Sequence, residues 1–273
     1  MLRKKISAVC CTYGRFSCVE RALNCFLAQT YPNKELIIYN TDTESPYIDV
    51  NCSLMPYNVL IINSNTDKVT NQPYTNVGAI RRDALKFASG DYVITYDDDD
   101  IFLPWFMQQA IDRMEATKLP CFKPEMSFFY SGNNLRLVRN TLEASIVADI
   151  QKVREYGYLL ETGKEGLGWY TKMRDNKELD EHDTYYIPSY CFNWNDGQEM
   201  KAPHKQSGAI DDPQNFENHK KQSLDRVDGR QLQIWSEDNV AAMYEPYYSF
   251  IESTKENYPL ELLERYLPAT SIF

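Results

Sequence analysis

Residues 90–105 read GDYVITYDDDDIFLPW, and four consecutive carboxylates set between a β-forming run and a proline decide how the chain is read. Tyr92 to Tyr96 predict a strand, and Pro104 predicts the opening of a helix that carries Phe106, Met107, Ala110, Ile111 and Met114 on one side. Neighbouring negative charges repel one another and have no place in an apolar core without a positive partner or water. The run therefore belongs at the carboxyl end of a strand, the edge of an open α/β sheet where ligands bind. If the chain is extended through the run, Asp97 and Asp99 point the same way and Asp98 the other, so two carboxylates converge as a hard divalent ion requires. A solvated acidic turn ahead of the next helix accounts for the charges as well, because negative charge near a helix N-terminus is favourable by about 0.3–1 kcal/mol. The spacing of an EF-hand loop, with its central Gly and terminal Glu, is missing.

Working outward, Ile6 to Cys11, Glu35 to Tyr39 and Val59 to Asn63 read as strands, and two helical stripes lie among them. Val19, Leu23, Phe26 and Leu27 form the first stripe. Ile80, Ala84, Phe87 and Ala88 form the second, whose helix is expected to end in a left-handed cap at Gly90. This alternation predicts an α/β fold with a Rossmann-like, mostly parallel central sheet flanked by helices. The second half is less regular: a hairpin in SFFYSGNNLRLVRN, a helix in SIVADIQKVREYGY, then a polar stretch rich in aromatics.

The chain has 273 residues, enough for one catalytic unit with a substantial core. Lys and Arg total 29 against 39 Asp and Glu, a net charge of −10, which disfavours non-specific attraction to nucleic acid or anionic lipid. The seven cysteines, at 10, 11, 18, 25, 52, 121 and 191, form no CxxC pair and read as reduced, mostly buried thiols of a cytoplasmic protein. The basic start MLRKK leads into an apolar run too short for a signal peptide, so it reads as the approach to a first strand. No stretch reaches the roughly 18 apolar residues that a membrane span needs.

Read together, ISAVCCTYGRFSCVERALNCFLAQTYPNKELIIYN and TNVGAIRRDALKFASGDYVITYDDDDIFLPW resemble the family 2 glycosyltransferases of GT-A fold. Five motifs carry the resemblance in the family's order: Thr-Tyr-x-Arg at a strand end, LAQTYPNKELII, TNVGAIRRDAL, SGDYV and an Asp-x-Asp within DDDD. The resemblance covers residues 5–115 and implies a nucleotide-diphosphate sugar, uridine-linked, held at the sheet edge with Mn²⁺ or Mg²⁺. By matching position it implies Thr12 and Tyr13 at the nucleoside, Arg15 within the nucleotide-sugar site, and Asn76, Gly78 and Arg81 beside the ribose or diphosphate. Asp97 and Asp98 join the donor site, while Asp97 and Asp99 bind the metal. The family's base-contacting Asp follows its second strand; here the text is YNTDTES, and Asp42 is the candidate, displaced by a residue.

Inverting sugar transfer needs a base for the acceptor hydroxyl. In the family this is an acid of a Glu-Asp motif; Glu165 aligns with the Glu, and Gly166 stands where the Asp would be. Asp238, in WSEDN, is the alternative. The segment PSYCFNWNDGQEMKAPHKQSG resembles the family's Trp…His-x-Ser-Gly element, which implies His204 as a further metal ligand. Residues 1–220 are expected to form the GT-A domain, with a nucleotide-sugar half at 1–115 and an acceptor half at 116–220. Residues 221–273 are expected to be a C-terminal extension that packs on the core or, through Tyr244, Tyr247, Tyr248 and Phe250, joins two copies as a homo-oligomer. The function implied is metal-dependent, inverting transfer to a carbohydrate hydroxyl in surface-polysaccharide assembly. Glycosylation of a hydroxymethylated DNA base and a non-catalytic sugar-nucleotide or glycan binder are the alternatives.

Overall fold

The computed structural model describes residues 3–49, 53–140, 143–160, 166–180, 187–193 and 231–267. Strand β1 (Ile6–Thr12) is buried along nearly its whole length, as a strand paired on both sides and covered on both faces requires. It lies between β2 (Lys34–Asn40) and β4 (Tyr92–Thr95), parallel to both, with Val9 opposite Ile37 and Thr95. Strand β3 (Val59–Asn63) extends the β2 side in parallel. Past β4 the sheet continues through β9 (Val147–Asp149), β6 (Cys121–Phe122) and β10 (Leu179–Asp180), giving the order β10-β6-β9-β4-β1-β2-β3. The sheet is parallel except at β9, which runs against both of its neighbours.

The strand alternation sends successive residues to opposite layers. Ala8, Cys10, Leu36 and Ile38 meet Leu23 and Phe26 of α1 (Phe16–Leu27) and Met107 and Ile111 of α3 (Phe106–Thr117) in one core. Val9, Ile37 and Tyr39 meet Ile80 of α2 (Val77–Ala84), Val153 of α4 (Ile150–Tyr156) and Trp169 of α5 (Leu167–Asp175) in the other. A second sheet, in the order β5 (Ile101–Phe102), β11 (Tyr190–Asn193), β7 (Met126–Ser131), β8 (Asn134–Arg139), contains the expected hairpin, with Ser131 opposite Asn134.

Helix α6 (Glu237–Ser253) packs on the first core and α7 (Leu260–Tyr266) follows it. The Tyr244 hydroxyl donates to the Phe102 carbonyl at 2.9 Å, the Tyr247 ring meets Phe128 at 5.3 Å between centroids, and Tyr248 meets Trp105 at 5.7 Å. Tyr244 and Tyr247 are buried within their own chain and Tyr248 is half-buried, and a buried ring of this size contributes on the order of 2 kcal/mol. No helix among the described residues is long and apolar enough to cross a membrane. The six described cysteines are free thiols, five of them buried.

Two local readings of the sequence are corrected. Helix α2 ends at Ala84 and passes through a 3₁₀ turn at Leu85–Phe87 to an extended Ala88, so Gly90 caps nothing and is not left-handed. Glycine stands there because the chain presses on β1: a Cβ would lie 2.6 Å from Ser7 Oγ, 2.8 Å from the Lys5 carbonyl and 2.9 Å from the Ser7 amide nitrogen. Pro104 precedes α3 rather than opening it. The helix starts at Phe106, and the Pro104 carbonyl accepts from the Thr30 amide at 2.7 Å.

Candidate active site

The carboxyl ends of β1, β2 and β4 bring Thr12, Asn40 and Thr95 to one edge, and the acidic run leaves β4 there. The run is not extended: the chain turns at Asp98–Asp99, so alternate residues no longer face alike. Each carboxylate has a different anchorage. Asp97 pairs with Arg81 of α2 at 2.8 Å, and the same guanidinium reaches Glu143 at 3.1 Å. Asp98 turns inward, accepting from the Thr12 hydroxyl at 2.7 Å and from Arg15 at 2.8 Å. Arg15 places its other terminal nitrogen 2.7 Å from Asp99, so one guanidinium forks across two neighbouring carboxylates. Asp100 accepts from the Tyr190 hydroxyl and from the Asn193 amide, tying the run to β11.

Local sequence explains these positions. Gly14, at φ +60°, lets the chain turn sharply from β1 into α1, a conformation that suits a residue without Cβ, and Arg15 follows directly. Further along α1, Arg21 donates to the Asp99 carbonyl at 2.9 Å. The exit of the run is held by Gln29, whose amide donates to the Leu103 carbonyl at 2.8 Å and accepts from the Met107 amide at 3.1 Å.

The arrangement sorts the four acids by charge. Burial raises Asp98 to about 7, with the Asp99 charge adding to it and Arg15 opposing. Burial also acts to raise Asp99, but the Arg15 and Arg21 guanidinium groups outweigh it and hold that carboxyl below its ordinary range. Asp100 is pushed well above it by burial and by the charges of Asp99 and Asp97. At neutral pH the run thus carries less charge than four carboxylates imply, and Arg15, Arg21 and Arg81 compensate what remains.

The predicted residues divide accordingly. Thr12, Arg15, Asp98 and Asp99 form one hydrogen-bonded network, and Arg81 pairs with Asp97, the next residue of the run, beside it. Tyr13 is half-buried beside it, and Asp42, 1 % exposed, lies past β2 where the Thr41 amide donates to the Thr12 carbonyl at 3.0 Å. Asn76 is the N-cap of α2, its side chain accepting from the Ala79 amide at 2.8 Å, and Gly78 is buried in that helix's first turn. Trp169 is buried in the second core. Asp238 sits in the first turn of α6, and Trp235 just before that helix donates to Asn24 and Glu20 of α1. Glu165 and His204 lie outside the described residues.

The reading of the sequence missed Glu143. It stands in a turn with no motif or periodicity, and only the fold brings it, 62 residues along the chain, to Arg81. Arg21 was equally silent, being one charged position on an amphipathic helix.

Asp97 and Asp99, each partly exposed at 33 % and 20 % of the side chain, offer hard oxygen donors that suit Mg²⁺ or Mn²⁺. Among the described residues no three His, Cys, Asp or Glu side chains converge, so from these residues such an ion would take one or two carboxylate oxygens.

The family model described as glycosyl transferase family 2 matches residues 7–137, the stretch that holds β1 to β4 and the acidic run. An uncharacterised glycosyltransferase of Bacillus subtilis, YwdF, is 26% identical over 160 residues, 58% of this chain and 56% of that protein. The Escherichia coli UDP-Glc:α-D-GlcNAc-diphosphoundecaprenol β-1,3-glucosyltransferase WfgD is 26% identical over 174 residues, 64% of this chain and 61% of that protein. The matches therefore span a little over half the length of these relatives. Among solved structures, Staphylococcus aureus TarS 1–349 in complex with UDP-GlcNAc superposes with a TM-score of 0.52 at 13% identity, covering 94% of this chain and 82% of that one, a likeness of fold. Through the segment that builds the sheet edge and its acidic run, residues 7–137, the chain is similar to the family 2 glycosyltransferases.

Proposed function

We propose that the enzyme moves a sugar from a UDP-sugar to a hydroxyl of a carbohydrate acceptor in surface-polysaccharide assembly, with inversion and with Mn²⁺ or Mg²⁺. The observation that carries this reading is the interleaving of Asp97 and Asp99 with Arg81 and Arg15 at the carboxyl edge of the sheet. Carboxylates alone suit a cation and arginines alone suit a phosphate; together they suit a metal-bound diphosphate. The named activity of WfgD, with a UDP-sugar donor and a diphosphate-linked saccharide acceptor, supports the substrate classes.

Asp97 and Asp99 would hold the divalent ion, which when bound supplies counter-charge for the diphosphate leaving group. Arg81 and Arg15 orient the phosphates through their planar forks, and Thr12, Tyr13 and Asp42 line the nucleoside at the ends of β1 and β2. The acceptor oxygen attacks the anomeric carbon as the bond to the diphosphate breaks, and a carboxylate takes the hydroxyl proton. Glu165 is the proposed base. Its covalent neighbour Gly166 donates its amide to Glu143 at 3.3 Å, and Glu143 contacts Arg81, so the chain reaches the edge at that point. Asp238 has instead the role of a first-turn acid on α6, where negative charge favours the helix.

The test is UDP release from a panel of UDP-glucose, UDP-galactose and UDP-N-acetylglucosamine with Mn²⁺, with and without saccharide acceptors. Acceptor-stimulated release from one donor, abolished by chelation, is expected; no release from any donor under any of these conditions, with UDP nevertheless bound, would make the protein a binder.

A further inference from the structure

Glu143 joins two parts of the edge that the chain supplies separately. Its Oε1 lies 3.1 Å from Arg81 and 3.3 Å from the Gly166 amide nitrogen, and Arg81 is bonded in turn to Asp97 at 2.8 Å. The chain of contacts runs from the acidic run, through an arginine of α2, to the turn that opens α5. Gly166 fits that turn closely: a Cβ there would overlap the Oε2, Oε1 and Cδ atoms of Glu143. The Arg81 side chain is only 8 % exposed and that of Glu143 23 %, so their ion pair is shielded from solvent more than a surface pair would be.

From this geometry we infer that Glu143 is a positioning residue that fixes the Gly166 turn against the Arg81–Asp97 pair, so that the acceptor side and the donor side of the site hold one register. The inference rests on the donor site proposed above. A carboxylate is suited to the task because one oxygen can accept from a backbone amide and from a guanidinium at once, which a hydroxyl or a cation cannot do with the same charge. Glycine at 166 serves it by leaving room for the carboxylate. The Asp expected of the family at that position would bring a Cβ into the space Glu143 occupies.

The test is a double-mutant cycle on the full chain between Glu143→Ala and Gly166→Ala, with Glu143→Gln as a milder variant. Turnover is read with whichever UDP-sugar of the panel the wild type uses, and affinity is read by titration of UDP in Mn²⁺. Misplacement by an ångström costs up to about 100-fold in rate, so Glu143→Ala is expected to lower kcat by about 10–100-fold while the UDP dissociation constant stays within about threefold. Glu143→Gln, which keeps an acceptor for Gly166 and loses the negative charge that faces Arg81, is expected to fall between wild type and Glu143→Ala. Gly166→Ala should match the loss of Glu143→Ala on its own and add little in the Glu143→Ala background, because the clash has gone. A kcat within about twofold of wild type for Glu143→Ala, or a Gly166→Ala loss of equal size in both backgrounds, overturns the inference. Should the wild type bind no UDP in Mn²⁺, the donor-site reading fails on its own. The cycle is then read from unfolding midpoints, where equal Gly166→Ala losses in both backgrounds again overturn the coupling.

Discussion

Replacing Arg15 with Ala probes the charge balance on which the edge is built. The guanidinium lies 2.8 Å from Asp98 and 2.7 Å from Asp99, and the side chains of Arg15 and Asp98 are 15 % and 3 % exposed. Asp98 would keep the Thr12 hydroxyl at 2.7 Å, but among the described residues no comparable cation is bonded to its carboxylate. Removing one partner of a buried pair costs up to about 3–5 kcal/mol where the remaining charge is left without compensation, and less to the extent that Asp98, already raised to about 7, takes up a proton instead. Against a total stability of roughly 5–15 kcal/mol this is a large fraction, and for a chain of this size it lowers the unfolding midpoint by about 5–10 °C. The mechanism makes a second demand: Asp98→Asn removes the stranded charge, so Arg15→Ala combined with Asp98→Asn should be more stable than Arg15→Ala alone. Urea unfolding at pH 7.5, followed by circular dichroism over the four-membered cycle, measures both effects. A cost below about 1 kcal/mol, or no recovery in the double variant, would refute the idea that Arg15 neutralises a buried carboxylate.

Other outcomes follow from neighbouring contacts. Gly90→Ala drives a Cβ to 2.6 Å from Ser7 Oγ and against the β1 backbone, and should cost about 1–3 kcal/mol in urea unfolding; a neutral substitution would mean that β1 and this turn are not in register as described. Burial would raise the Asp83 carboxyl, but hydrogen bonds from Arg82, Lys86, the Lys68 amide and Tyr74 hold it well below the ordinary range. Its folded pKa is therefore depressed, and the stability it contributes is present above the unfolded value of about 3.9 and lost as pH falls through the folded one. Asp83→Asn should accordingly be less stable than wild type at pH 7, with the difference narrowing below about pH 4; a constant difference down to pH 2 would contradict the assignment. Glu165→Gln should cut transfer by about 10²–10⁴-fold with donor affinity near wild type, while Asp238→Asn changes little; the reverse pattern would make Asp238 the base.

Strands β1 to β4 were legible because each is a short apolar run bounded by turn residues, and the stripe on α1 matched its buried face. Pairing across the sheet was less so. Nothing local distinguishes β9, three residues long, from a loop, and its antiparallel insertion between β4 and β6 depends on contacts distant in sequence. Gly90 was misread for a related reason, since a glycine demanded by another strand's backbone looks like a glycine demanded by its own conformation. In the site, the place of the acidic run followed from its position after β4, but its geometry did not. Alternation applies to an extended chain, whereas the turn at Asp98–Asp99 redirects each carboxylate to a partner up to 93 residues away. Glu143 carried no signal at all, because a single acid in an irregular turn becomes informative only once the fold sets it beside an arginine.

The central claim is that Asp97 and Asp99 bind a divalent ion that in turn binds the donor diphosphate. Isothermal titration of UDP into the wild type and Asp99→Asn, each with Mn²⁺ and with chelator, tests it most directly. The account predicts tight binding for the wild type in Mn²⁺, weakened by about tenfold or more either by chelation or by the substitution, in a variant that still unfolds cooperatively. Equal UDP affinity with and without Mn²⁺, or an Asp99→Asn variant that binds UDP–Mn²⁺ as the wild type does, would contradict it.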